Sequence, residues 1–245
     1  MRVAFLGATK GMGRALARLM AERGDALCLL GRNREDLERS ASDLKVRGAA
    51  GTVACVLCDL EKTDMFGRSI EEAQNALGGL DAVVVTAGLF ATQAELESDP
   101  ELVERLVRID FANTVVFCEA AKKALLASGG GTLCVFSSVA GERGRKPVII
   151  YGAAKAGLSH YLEGLDHKHR AEGLRVITVK PGFVKTSMTA GLEPPPFAGE
   201  PDDVARRVLR AIDRGAPVVY APAIWRLIMA VIRALPRAVM RRIQF

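Results

Sequence analysis

Short apolar, β-branched runs alternate with helix-length stretches along the whole chain. "RVAFLG" precedes an amphipathic stretch at 12–23, "ALCLLG" precedes 34–46, "TVACVLCDL" precedes 64–77, and "LDAVVVTAG" precedes a long helical region at 100–127. "GTLCVFSS" then leads to 151–172, "LRVITVKPG" to 202–214, and "APVVYAP" into the carboxyl-terminal tail. The strand-like runs show little polar alternation. That is the pattern of strands buried on both faces of a parallel sheet. Seven strand–helix alternations predict one α/β domain over 1–245, a doubly wound parallel sheet of seven strands. There is no linker, repeat or second-domain signal.

Composition narrows the setting. Of the 245 residues, 49% are hydrophobic and 25% charged, a balance that permits a sizeable core. The net charge of +6 permits attraction to phosphates or anionic lipid and proves neither. The first apolar run is broken by glycines and too short for a signal-peptide core. Nothing approaches the roughly 18 uninterrupted apolar residues of a spanning helix. The expected location is cytoplasmic, or peripheral on the inner membrane face. The five cysteines are an odd count without a secretion signal, which points to free thiols. Cys55 and Cys58 form a CxxC in a strand-like run, where positions i and i+3 point to opposite faces, so core thiols are expected rather than a redox or zinc pair. His167 and His169 do not share a helix face, and no metal site is expected.

Directly after the first strand comes "GATKGMG", with Gly7, Gly11 and Gly13. A glycine turn between strand and helix brings backbone N–H groups close to a phosphate. The same glycines would serve a tight turn and close helix–sheet packing. The second strand ends in Gly31-Arg32, where an NAD-preferring enzyme carries an acid for the ribose 2′-hydroxyl. Arg32, with Arg34 and Lys10 nearby, suits a 2′-phosphate, so NADPH is the expected cofactor.

Tyr151 and Lys155 stand at i and i+4 on one predicted helix face. A free tyrosine titrates near 10, and an adjacent ammonium favours its phenolate, so Lys155 is expected to lower the Tyr151 pKa. Tyr151 then suits general acid–base work. Ser138, after the fifth strand, is placed to hydrogen-bond a substrate oxygen as charge develops there.

With GxxxGxG at Gly7–Gly13, Asp59-Leu60, "SSVAG", "YGAAK" and "KPGFVKTSM", the chain resembles the short-chain dehydrogenase/reductase family over essentially its whole length. The resemblance implies a Rossmann fold in which 1–130 mainly binds dinucleotide, 131–222 carries catalytic and substrate parts, and 223–245 is an amphipathic tail. It implies that Ser138 orients the carbonyl, Tyr151 donates the proton in reduction, and Lys155 holds the nicotinamide ribose. It implies a cofactor site from Gly7, Thr9, Lys10, Gly11, Met12, Gly13, Arg32, Asp59, Leu60, Ala87 and Gly88. Tyr151, Lys155, Pro181, Gly182, Val184 and Thr186 would complete it around the nicotinamide. Two departures stand out. Thr86 replaces the first residue of the family's Asn-Ala-Gly. Asp110 falls where the family has a catalytic asparagine, with Asn113 three residues on. Either Asp110 takes that role, or Asn113 does, or the proton relay is weakened.

After the PG motif the family's substrate lid is expected. Met188, Leu192 and Phe197 would line an apolar pocket there, or belong to an ordinary loop. In the tail "WRLIMAVIRALPRAVMRRIQF", Arg226 and Arg233 share one helical face, and Trp225, Ile228, Met229, Ile232 and Leu235 the other. That pattern suits docking on the fold or on a partner subunit, and equally a lipid surface. No motif supports nucleic-acid binding. The carboxyl-terminal half also resembles the reductase components of decaprenylphosphoryl-ribose 2-epimerase, which act on a polyprenyl-phosphate keto-sugar. The expected activity is NADPH-dependent interconversion of a ketone and a secondary alcohol, on a small and lipophilic substrate. Reduction of a polyprenyl-phosphate keto-sugar is the alternative, and a non-catalytic dinucleotide sensor or assembly protein is the rival outside catalysis. A homodimer or homotetramer is implied by the family.

Overall fold

The computed structural model describes residues 1–48 and 51–243. Seven strands form one sheet: β1 (Arg2–Leu6), β2 (Ala26–Gly31), β3 (Val53–Leu57), β4 (Ala82–Val85), β5 (Gly131–Phe136), β6 (Leu174–Pro181) and β7 (Val218–Ala221). Every pairing is parallel, in the order β3-β2-β1-β4-β5-β6-β7. The helices are α1 (Gly11–Glu22), α2 (Arg34–Val46), α3 (Phe66–Leu77), α4 (Gln93–Ser98), α5 (Pro100–Val107), α6 (Thr114–Ala127), α7 (Ile149–His169), α8 (Pro201–Arg214), α9 (Ile224–Ala234) and α10 (Arg237–Met240).

The sheet is covered on both faces. One core packs Val3, Phe5, Leu27, Leu29 and Ile177 against α1, α2 and α8. The other packs Ala4, Leu30, Val83, Leu133 and Val176 against α3, α6 and α7. Alternate residues of one strand thus serve opposite cores, which is why these runs carry no polar face. Cys55 packs against the first core and Cys58 belongs to the second, as strand alternation requires. Burial pushes the Cys28 thiol up to about 12 and the Cys58 thiol up to about 11. The chain reverses its winding between β1 and β4, and that switch point opens a crevice at the carboxyl ends of the strands.

Local chemistry marks the helix ends. Asn33 accepts the Asp36 N–H at the start of α2. Pro201 opens α8, Asp202 and Asp203 occupy its first turn, and Gly215 closes it at φ 64°.

The long helix expected over 100–127 is interrupted. A π-helical turn, Arg108–Asn113, separates α5 from α6. The helix expected over 151–172 begins at Ile149 and ends in a 3-10 turn at Arg170–Glu172. Helix α4 is an addition, fixed by a capping box between Thr92 and Glu95. The tail forms α9 and α10; its last two residues, Gln244 and Phe245, lie outside the described residues. No helix among the described residues is long and apolar enough to cross a membrane.

Candidate active site

The first turn and the end of β4 press together. A Cβ on Gly7 would lie 2.5 Å from the Ala87 nitrogen, and one on Gly13 would collide with the Gly7 carbonyl oxygen. Thr86 spans this junction: its hydroxyl donates to the Gly7 carbonyl at 2.9 Å. The threonine thereby ties β4 to the glycine turn. Gly11 faces the loop after β6, where its Cβ would meet Thr186 at 3.3 Å. Met12 packs its partly buried side chain against the core and does not line the crevice at the switch point.

A cavity of about 760 Å³ opens here, at the switch point. Of the expected cofactor residues, Gly7, Thr9, Lys10, Arg32, Asp59, Leu60, Ala87 and Gly88 line it, and Ser187 and Met188 close it from the loop after β6. Arg34 does not line it; it pairs with Glu38 on α2. Three charged lining residues, Asp36, Glu61 and Arg105, were not expected from the sequence. Asp36 pairs with Lys10 at 3.4 Å, and Glu61 binds Arg105 at 2.6 Å and lies 3.8 Å from Arg32. The cations expected to grip a 2′-phosphate therefore each have a carboxylate beside them. The glycine cradle, the helix start and these guanidinium groups fit a dinucleotide in donor type and placement.

The chemistry-bearing side chains converge beside this cavity. Helix α7 carries Tyr151 and Lys155 one turn apart, with Lys155 only 5% exposed. Its ammonium sits 5.7 Å from the centre of the Tyr151 ring. Ser138 follows β5, lies close enough to the Tyr151 hydroxyl to favour its phenolate, and accepts the Ala140 N–H at 3.1 Å. Phe90 meets the Tyr151 ring edge to face at 5.2 Å. Ser137, beside Ser138, donates to the Lys155 carbonyl at 2.9 Å and fixes β5 against α7.

The π-helical turn sends Asp110 and Asn113 to different partners. Asp110 is fully buried, 3.4 Å from the Lys155 ammonium, and accepts the Leu89 N–H at 2.7 Å. Asn113 points elsewhere and donates to the Leu60 carbonyl at 2.6 Å. Gly88 packs over the pair: a Cβ there would lie 2.9 Å from Asp110 Oδ1 and 3.5 Å from Lys155 Nζ. A π turn displaces one residue from the helical ladder, a device frequent at functional sites.

Lys155 lowers the Tyr151 pKa as expected, but other effects outweigh it. Burial raises the Tyr151 pKa, Lys155 lowers it by less, and Asp110 raises it further, so the net direction is upward. Burial lowers the Lys155 pKa, but Asp110 and then Tyr151 outweigh it, and the net direction is again upward. Burial raises the Asp110 pKa against the partial opposition of Lys155 and the Leu89 N–H. Tyr151 is thus held as the phenol at neutral pH.

Beyond β6, Pro181 ends the strand, the Gly182 N–H donates to the Ala221 carbonyl at 3.0 Å, and Val184 is buried in the core. A Cβ on Gly182 would collide with the Trp225 indole, so the tail rests directly on this loop. Trp225, Met229 and Ile232 bury with Val139; Leu227 and Val231 face outward. Of the three lid candidates only Met188 lines the cavity. Leu192 and Phe197 are exposed, and Phe197 has a φ of 67°.

Comparison with known proteins agrees with this geometry. The short chain dehydrogenase family model matches residues 2–196. An uncharacterized oxidoreductase of Mycobacterium tuberculosis is 33% identical over 98% of this chain and 96% of its own. Carbonyl reductase family member 4 of Xenopus laevis is 29% identical over 84% of this chain and 88% of its own. The solved structure of an actinorhodin polyketide ketoreductase with NADPH superposes with a TM-score of 0.80 at 23% identity, covering 89% and 95% of the two chains. The chain belongs to the short chain dehydrogenase family of NAD(P)-dependent oxidoreductases.

Proposed function

We propose that the protein is an NADPH-dependent reductase that interconverts a ketone and a secondary alcohol of a lipophilic small molecule. The observation that carries this reading is the convergence of Ser138, Tyr151, Lys155 and Asp110 beside the cavity. Ser138 hydrogen-bonds the substrate carbonyl oxygen and holds it against Tyr151. Tyr151, held as the phenol, protonates that oxygen as negative charge develops there. Lys155 stabilises the phenolate left behind, and Asp110 keeps Lys155 charged and oriented. The dinucleotide, when bound, supplies the hydride. Gly7, Thr9 and Gly11 would hold its phosphates, Asp59 and Leu60 its adenine, and Arg32 and Lys10 its 2′-phosphate. Pro181, Gly182, Val184 and Thr186 would shape its nicotinamide end.

At neutral pH Tyr151 is the phenol, the form needed to protonate a carbonyl oxygen. A lipid-linked substrate, such as a polyprenyl-phosphate keto-sugar, is a second reading. It is supported by outward Leu227 and Val231 on a helix flanked by Arg226, Arg233 and Arg237. The same surface suits peripheral contact with an anionic membrane. Turnover of a panel of ketones with NADPH and NADH tests the main reading. NADPH-dependent reduction of bulky apolar ketones is expected; cofactor binding with no turnover on any carbonyl would favour a sensor instead.

A further inference from the structure

The carboxylate of Glu142 is almost fully enclosed, with its side chain 4% exposed. It lies four residues after Ser138, in the 3-10 turn Val139–Glu142. Three elements distant in sequence supply its partners. Lys180 of β6 ion-pairs with Oε1; the Tyr220 hydroxyl of β7 donates to Oε2 at 3.1 Å; and Arg233 of α9 approaches Oε2 at 3.2 Å. Two more bonds run the same way. Arg143 donates to the Leu235 carbonyl at 2.9 Å and Lys146 to the Arg241 carbonyl at 2.9 Å. The loop between Ser138 and Tyr151 thereby grips the carboxyl ends of both α9 and α10. On its other side this loop presses on α7. A Cβ on Gly141 would lie 2.6 Å from the Ala156 nitrogen, and one on Gly152 would lie 2.8 Å from the Ala140 carbonyl oxygen.

We propose that Glu142 is a positioning residue through which the tail helix locks the 139–148 loop, and with it Ser138 and Tyr151, in register. The proposal rests on the reductase reading for its catalytic consequence, but not for the clamp itself. A buried carboxylate is best served by its full set of partners, and retreat of the tail would take away Arg233 and leave Glu142 with Lys180 and Tyr220 alone. The loop holds only two short 3-10 turns, Val139–Glu142 and Lys146–Val148, so its contacts with α7 on one side and the tail on the other set its position. The tail is then part of the catalytic scaffold.

The test uses the full-length protein with Glu142→Gln, Arg233→Met and Arg233→Lys. Arg233 is half-exposed, so its replacement spares the core should Glu142→Gln fail to fold. Amide exchange in 139–148 and steady-state kinetics with NADPH are measured well below the unfolding temperature. In Arg233→Met, exchange across the loop should rise about tenfold against an unchanged β1. Its kcat should fall roughly 10- to 100-fold, since a small misplacement of a catalytic group has that effect. The KM for NADPH should stay within about twofold, and Arg233→Lys should restore both readouts. Unchanged loop exchange would overturn the clamp, and a loosened loop with full kcat would overturn its positioning role. A wild-type protein that turns over no carbonyl compound would remove the reductase reading instead, and the exchange comparison would still decide the clamp.

Discussion

Asp110 stands 3.4 Å from the Lys155 ammonium, a buried carboxylate where the family pattern has an amide. Its negative charge raises the pKa of both Tyr151 and Lys155. Asp110→Asn removes that charge while keeping an acceptor for the Leu89 N–H. The Tyr151 pKa should then fall. Alcohol oxidation needs the phenolate, so its rate should rise at a lower pH than in the wild type. Ketone reduction needs the phenol, so its alkaline loss should begin at a lower pH. Both kcat–pH profiles check this; unmoved profiles would show that Asp110 carries no charge coupled to Tyr151.

Tyr151→Phe separates chemistry from packing. The ring contact with Phe90 at 5.2 Å survives the change, so the fold should hold. Ketone reduction should drop by about 10²–10⁴-fold, the range for loss of a positioned proton donor. NADPH binding, followed by nicotinamide fluorescence, should remain close to that of the wild type. Retained turnover would remove Tyr151 from the mechanism.

Asn113 provides the contrast to Asp110. Its amide satisfies the buried Leu60 carbonyl at 2.6 Å and does not approach Lys155. Asn113→Ala leaves that carbonyl without its donor, which should lower the unfolding free energy by about 1–3 kcal/mol. Urea unfolding should register the loss while the pH–rate profile keeps its shape. A displaced profile would make Asn113 part of the relay.

The sheet was legible because β1, β2, β4, β5 and β6 are buried on both faces and so read as unbroken apolar runs. The pairing of Tyr151 with Lys155 was legible because helical spacing alone places them on one face. The π turn was not, since one displaced residue at 108–113 leaves the apolar pattern of the flanking helices intact. Arg105 and Glu61 meet across 44 positions, and no local signal joins them. The upward Tyr151 pKa was also hidden. Spacing reveals Lys155, but burial and the Asp110 charge arise only when α7 packs against the π turn. Helical spacing grouped Trp225 with Met229 and Ile232 on one face but left open what that face meets; its seat on Gly182 depends on how β6, β7 and α9 fold together.

The charge balance around the 2′-position yields a paired prediction. Arg32 and Arg105 both face Glu61. Glu61→Gln frees them and removes a charge that repels phosphate, so the preference for NADPH over NADH should increase. Arg32→Ala removes a donor, so the preference should decrease. A charge-assisted bond of about 1.5–3 kcal/mol corresponds to roughly tenfold or more in affinity. Titrations of each variant with both dinucleotides check the two directions. A preference indifferent to both changes would place the 2′-phosphate elsewhere, or make NADH the working cofactor.

The outer face of α9 is the last surface whose chemistry can be tested directly. Leu227 is 65% exposed and Val231 56%, while Trp225, Met229 and Ile232 hold the helix to the fold from its other side. No acid follows Asp213, and the same tail carries Arg226, Arg237, Arg241 and Arg242 besides the Arg233 that pairs with Glu142. Apolar insertion and attraction to anionic headgroups act together on such a helix, and both are needed for stable surface binding. Leu227→Asp combined with Val231→Asp reverses both without touching the docked face, so thermal stability should be close to that of the wild type. In flotation with anionic liposomes the wild type should partition to the vesicles, and the double variant should remain in solution. High salt should weaken wild-type binding, because the arginine contribution is screened. Equal partitioning of the two proteins would remove the membrane-surface reading and leave α9 as a docked element of the catalytic scaffold.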